Sequence, residues 1–109
     1  MNFYLYNHPT DMRKGFDGLS GIIVNKTSYE ILSGDVFIFI NKYRNKMKLL
    51  RWESGGLVLY YKRLEQGTFE VLQIENNEFV YKVEYHKLVM LIAGINTNNI
   101  TKRKRYKIT

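Results

Sequence analysis

The chain contains no cysteine and only one proline, Pro9, in 109 residues. Without thiols there is no disulfide framework, no thiolate nucleophile and no Cys-based zinc site. At this length one domain can bury a sufficient core without such staples. Scarce proline together with 15% aromatic residues argues against disorder and for a strand-rich body. Long apolar runs are also missing. Val36–Ile40 and Leu57–Tyr61 reach five residues, far short of the roughly 20 needed to span a bilayer, so no membrane association is expected. The N-terminal MNFYLYNHP has no basic segment followed by an apolar one, so no signal peptide is expected and the protein reads as cytoplasmic.

Acidic residues are missing from one region in particular. All ten precede Asn96, where Lys and Arg number twelve, so the body carries only +2 of the net +7. The last fourteen residues carry five basic side chains and no acidic one. This divides the chain into a single domain over residues 1–96 and a basic C-terminal tail over 97–109. A short run such as Lys102-Arg103-Lys104-Arg105 with one Tyr can contact phosphates. A solvated terminus without a partner is an equally good account of it.

In chain order, residues 2–6 alternate as a strand, with Phe3 and Leu5 on one face and Tyr4 and Tyr6 on the other. After Pro9, the apolar residues Met12, Phe16, Leu19 and Ile23 recur at the spacing of one helical stripe. Thr10 or Asp11 is placed to cap that helix. Gly15, Gly18 and Gly21 weaken it by roughly 1 kcal/mol each. Close packing against a sheet is the expected reason, because no phosphate-cradling glycine pattern is present.

Residues 25–34 read as a connector. Val36–Ile40 is apolar on both faces and predicts a strand covered on both sides. Asn41-Lys42-Tyr43-Arg44-Asn45 predicts a hairpin tip. The next strand runs through Lys46, Lys48 and Trp52. Consecutive Leu49-Leu50 implies either a bulge or a change to two-sided burial. Glu53-Ser54-Gly55-Gly56 predicts a tight turn into Leu57–Arg63. Another extended stretch is expected over Phe69–Ile74, a turn over Glu75–Glu78 and a last strand over Phe79–Val83. From Tyr85 the spacing turns helical, with Leu88, Leu91, Ile92 and Ile95 in a stripe and Gly94 placed to end it. The expected fold is α+β: a mainly antiparallel sheet built on a central three-stranded meander, with one helix near each end.

Catalytic signals are thin. His8 and His86 stand apart and outside any metal-ligand pair motif. Ser20, Ser28, Ser33 and Ser54 lie in no nucleophile motif. Asp11, Asp17, Asp35 and Glu53 could in principle hold a divalent cation for phosphodiester chemistry, without any supporting spacing. No enzyme and no cofactor is expected.

Four blocks carry a resemblance: residues 10–19 (TDMRKGFDGL), 34–39 (GDVFIF), 48–52 (KLLRW) and 62–69 (KRLEQGTF). In order and approximate spacing, over roughly residues 4 to 96, the chain resembles the small Orf2-like (TnpB-type) accessory proteins of the insertion-sequence family numbered sixty-six. Leu91-Ile92-Ala93-Gly94-Ile95 is similar to the closing helix of that family. The resemblance implies a protein needed for transposition that is encoded beside a separate, larger transposase carrying the catalytic acids. It supplies no catalytic residue. The tail after Asn96 extends past the expected end of the family pattern.

The motif positions Arg13, Lys14, Lys48, Arg51, Lys62 and Arg63 are candidate nucleic-acid contacts. Lys42, Arg44 and Lys46 at the hairpin and Lys102, Arg103, Lys104 and Arg105 in the tail join them. A turn centred on Ser54-Gly55 brings residue 46 opposite residue 63, which would gather these charges at one edge. Local ion pairs with Asp11 and Asp17 are the alternative use for Arg13 and Lys14, and Lys62-Arg63 could simply end a strand in solvent.

Two functions follow as expectations. The first is a non-catalytic accessory factor that binds DNA through the hairpin patch and tail, with Tyr43 able to stack on a base. The second is a protein-interaction subunit that docks on the transposase or forms a homodimer, anchored by Tyr4, Tyr6, Trp52 or Tyr60. A third expectation is a metal-dependent nuclease with a divalent cation near Asp11, Asp17 or Asp35.

Overall fold

A computed structural model describes residues 1–70 and 79–94, which form five β-strands and two α-helices. Their order is β1 (Phe3–Tyr6), α1 (Phe16–Lys26), β2 (Val36–Ile40), β3 (Lys46–Glu53), β4 (Gly56–Arg63), β5 (Val80–Val83) and α2 (Tyr85–Ala93). A 3-10 turn at Ile31–Ser33 leads into β2. The strands form one sheet in the order β4-β3-β2-β1-β5.

The meander is present. β2, β3 and β4 are antiparallel neighbours joined by short turns. Among the described residues it occupies one half of the sheet and leaves β4 on the edge. The expectation of a mainly antiparallel sheet needs one correction, because β1 and β2 are parallel, with Phe3 opposite Val36. The segment between them, which contains α1, carries the chain back to the end it left, and such a crossover produces a parallel pair. Asp35 Oδ1 accepts from the Asn2 amide at 2.9 Å and fixes the start of that pair.

Period-two alternation divides the core into two layers. On one side of the sheet Leu5, Val36, Ile38, Ile40 and Met47 pack with Leu88 and Leu91 of α2 and with Phe69. On the other, Tyr4, Phe37, Phe39, Leu50 and Val80 pack with Leu19 and Ile23 of α1. β2 is buried at every position, as its two-sided apolar pattern requires. Leu49 and Leu50 serve opposite layers. No bulge interrupts β3, whose pairing with β4 runs unbroken from Lys46–Arg63 to Glu53–Gly56.

Helix α1 departs from expectation at its start. The helix begins at Phe16 with Gly15 before it, and no side chain caps it. Asp11 instead holds the amide of Arg13, two residues on, at 2.9 Å, while Thr10 donates to the carbonyl of His8. A short Asx-type turn therefore competes with helix over residues 11–13. Phe16 is 48% exposed and falls outside the stripe, whereas Met12 packs on the core from the preceding turn. The glycines do not mark close packing on the sheet. Among the described residues, a Cβ at Gly15 would meet nothing within 4 Å; at Gly18 its three nearest atoms would all belong to Lys14, and at Gly21 it would meet Asn25, each from the same segment.

The hairpin after β3 is built as its sequence demands. Ser54 and Gly55 have φ of 50° and 83°, a left-handed pair matching the twist of the flanking strands. Helix α2 ends on Gly94 at φ 71°, whose amide reaches the Leu91 carbonyl at 3.0 Å. The expected stretch after Glu70, the turn over 75–78, Ile95 and the tail lie outside the described residues. Among the described residues, no helix is long and apolar enough to cross a membrane.

Candidate nucleic-acid interface

The β2–β3 hairpin is held by its two asparagines. Asn41 Oδ1 accepts from the amides of Asn45 and Lys46, each at 3.0 Å. Asn41 Nδ2 donates to Asn45 Oδ1 at 2.7 Å. Arg44 takes φ 58° to complete the turn. This hydrogen-bonded base lifts Lys42 and Tyr43 into solvent, Tyr43 being 74% exposed.

The register prediction holds, because Lys46 stands directly opposite Arg63. The same face of the β3–β4 pair continues with Lys48 opposite Tyr61 and Leu50 opposite Leu59. The topology thus brings together Lys42, Arg44, Lys46 and Arg63 at one end of the meander.

The candidate cations then divide by what they touch. Lys48 is 6% exposed, and its ammonium donates to the carbonyls of Met12 and Lys14 at 2.7 Å each. It also lies 4.6 Å from the centre of the Tyr61 ring. Lys62 donates to the Ile92 carbonyl at 2.6 Å, at the negative end of α2. Arg63 forks onto Glu65 at 2.7 and 3.1 Å. Arg51 lies 3.8 Å from Glu53, and its buried Nε meets no partner among the described residues. Arg13 clasps Asp11 at 2.7 Å. Lys14 is exposed beside that pair. Lys42, Arg44 and Lys46 have no carboxylate partner among the described residues. Lys102, Arg103, Lys104 and Arg105 lie outside them.

Electrostatics follow these contacts. Hydrogen bonds from Arg13, side chain first and then backbone, hold the Asp11 carboxyl at about 2. The same contact raises the Arg13 guanidinium further. Burial pushes the Tyr81 phenol above its ordinary value, and the positive charge of Arg44 pulls it partly back.

Sequence reasoning did not find the internal roles of Lys48 and Lys62. The signal for Lys48 was its phase. It alternates with Met47 and Leu49 and so shares the face of Leu50, a face that α1 covers. For Lys62 no local signal existed, since its acceptor lies 30 residues away. Of the proposed docking anchors, Tyr4 is buried against Phe37 and Tyr29. Tyr6 and Trp52 are half-buried, and Tyr60 is exposed. Among the described residues no group of three or more His, Asp or Glu is placed to hold a metal ion. Asp11 is clasped by Arg13 and Asp35 is bonded to Ser33.

A family model described as IS66 Orf2 like protein matches residues 1–102. The chain belongs to the IS66 Orf2-like family. The match runs past residue 96, so the first part of the basic tail falls within the family pattern rather than beyond it. This IS66 Orf2-like protein is also similar to the uncharacterized protein y4jC of Sinorhizobium fredii (strain NBRC 101917 / NGR234), at 28% identity over 99 residues, covering 91% of this chain and 82% of that one. No solved structure matches it. The family is associated with insertion sequences, as an accessory protein rather than a known catalytic enzyme.

Proposed function

We propose that this IS66 Orf2-like protein is a non-catalytic accessory factor for transposition that holds DNA phosphates with its β2–β3 hairpin and its basic tail. One observation supports the hairpin as the contact. Lys42, Arg44 and Lys46 cluster on a hydrogen-bonded turn without a carboxylate partner among the described residues, whereas Arg13, Arg51 and Arg63 each have one. Cations with no carboxylate partner among the described residues can bind phosphate without first breaking a described ion pair. Lys48 and Lys62 support the surface from within by anchoring the chain before α1 and the end of α2.

Fluorescence anisotropy with duplexes carrying the ends of the element tests this reading. Neutralising about five phosphates gives a slope of log affinity against log salt near −4 to −5. Lys42→Glu with Lys46→Glu should flatten it by about two. An absence of binding at low salt would overturn the reading.

A second reading is favoured by β4. Among the described residues this eight-residue strand forms the sheet edge and exposes Val58, Tyr60 and Tyr61 at 49, 44 and 50%. Long, apolar, unpaired edges recruit further strands. In this reading the protein docks on the transposase of its element. Co-purification with that transposase in high salt, unaffected by Lys42→Glu with Lys46→Glu, would support docking in place of DNA contact.

A further inference from the structure

A cleft of roughly 140 Å³ opens where the parallel strands β1 and β2 end, lined among others by Tyr6, His8, Ile40, Asn41, Lys42 and Arg44. Its shape comes from the two chain exits. The Thr10 amide bonds the Ile40 carbonyl at 2.9 Å, and the Asn7 amide bonds the Phe79 carbonyl at 2.7 Å. The backbone thus frames the cleft with hydrogen bonds already made. Two of its lining residues, Lys42 and Arg44, are cations without a carboxylate partner among the described residues.

An aromatic group borders the cleft. The His8 ring lies 5.5 Å from that of Tyr6 and 5.3 Å from that of Phe79, inclined at 64° and 54°. His8 is exposed, and Phe79 is 41% exposed. Cations beside exposed rings suit single-stranded nucleic acid, whose phosphates take the charge while unstacked bases take the ring faces. Size narrows the choice. At about 30 Å³ of liquid per water the cleft holds on the order of five waters, below the roughly 300 Å³ at which metabolite pockets begin. A phosphodiester group fits such a space, and a base would have to lie outside it against the rings.

We infer that this cleft binds one backbone phosphate of single-stranded DNA, with Arg44 and Lys42 on the phosphate and the adjoining base against His8 and Phe79. The inference rests on the DNA reading above and narrows it, because it requires an unpaired strand where the hairpin and tail alone would accept any duplex. The parallel pairing of β1 and β2 creates the site, since it places both strand ends, and the turns that follow them, at the same edge.

The test uses the full chain. The dinucleotide pTpT is titrated while the His8 ring and Arg44 side-chain resonances are followed by NMR, with blunt element-end duplex binding measured in parallel by anisotropy. Saturable movement of both resonances is expected. Arg44→Gln should weaken pTpT binding by about tenfold, the loss of one charge-assisted bond, while Lys87→Gln on α2 leaves it unchanged. Duplex binding with His8 and Arg44 unmoved by pTpT would overturn the cleft and leave the DNA reading standing. Response to pTpT without duplex binding would sustain the cleft and overturn the duplex contact. Equal response to inorganic phosphate and pTpT would overturn the base contact, and silence in both arms would overturn both readings.

Discussion

The ammonium of Lys48 sits 4.6 Å from the centre of the Tyr61 ring, its opposite neighbour on β4. The same group hydrogen-bonds two carbonyls of the turn before α1. A buried cation is costly unless its donors are satisfied, and here two carbonyls and a ring face surround it. Lys48 therefore fastens β3 to the approach to α1, and a basic residue that looks like a phosphate contact in sequence serves the fold.

Replacement of Lys48 by Met separates these roles. The Met12 and Lys14 carbonyls lose their donor, while the apolar stem is retained. Stability should fall by roughly 2 kcal/mol, since bonds to a charged donor are worth about 1.5–3 kcal/mol each and relief of desolvation returns part of that. The midpoint of thermal unfolding should drop by on the order of 8 °C, followed by circular dichroism. DNA affinity of the folded protein should stay within about twofold. A variant with wild-type stability and lost DNA binding would reverse the assignment.

Lys62 makes the analogous bond at the other layer, to the Ile92 carbonyl near the end of α2. Helix ends carry unpaired carbonyls and partial negative charge, so a cation there is favourable by about 1 kcal/mol. Lys62→Ala should fray the last turn of α2 and leave the β2–β3 hairpin intact. Hydrogen exchange reads this directly: the Leu91 and Gly94 amides should lose protection by about fivefold, and Asn45 and Lys46 should not change.

The turn after β3 offers a change in the stabilising direction. Ser54 takes a left-handed conformation that costs most side chains roughly 1 kcal/mol, while Asn tolerates it and Asn-Gly is the favoured pair for this hairpin. Ser54→Asn should raise stability by about 0.5 kcal/mol in urea unfolding. Gly55→Val, which forces a β-branched residue to φ near 83°, should lower it by more than about 1 kcal/mol.

Much of this architecture could be read from the residues because it is encoded locally. Alternation placed Phe3 and Leu5 opposite Tyr4 and Tyr6, two-sided apolarity marked β2, and Gly94 marked the end of α2. The β3–β4 register followed from the short turn alone. What eluded the sequence depends on distant partners. The parallel pairing of β1 with β2 is decided by where the crossover returns, and local periodicity does not contain that. The start of α1 was misplaced because Asp11 satisfies a nearby amide in a turn as readily as it would cap a helix. Charge was the least legible feature of the candidate site. A Lys in sequence does not reveal whether a carbonyl 30 or more residues away has claimed it.

The same turn before α1 carries a pH dependence that can be checked site by site. Asp11 titrates at about 2 when folded, against 3.8 ordinarily, with the Arg13 side chain as the larger cause and the Arg13 amide as the second. A depressed carboxyl contributes stability that is present above pH 3.8 and lost as pH falls through about 2. The Arg13 side chain lies almost wholly in solvent and that of Asp11 is exposed, so the effect is local and screened by salt. NMR titration of the Asp11 carboxyl should give a midpoint near 2 in the wild-type protein. Arg13→Ala removes the guanidinium and keeps the amide, so the midpoint should rise only part of the way to 3.8. The Met12 and Lys14 carbonyls that receive Lys48 belong to this turn, so protonation of Asp11 should perturb the Lys48 ammonium resonance as well. A full return to 3.8 in Arg13→Ala would show that the backbone bond from Arg13 contributes nothing, and that the turn is held by the ion pair alone.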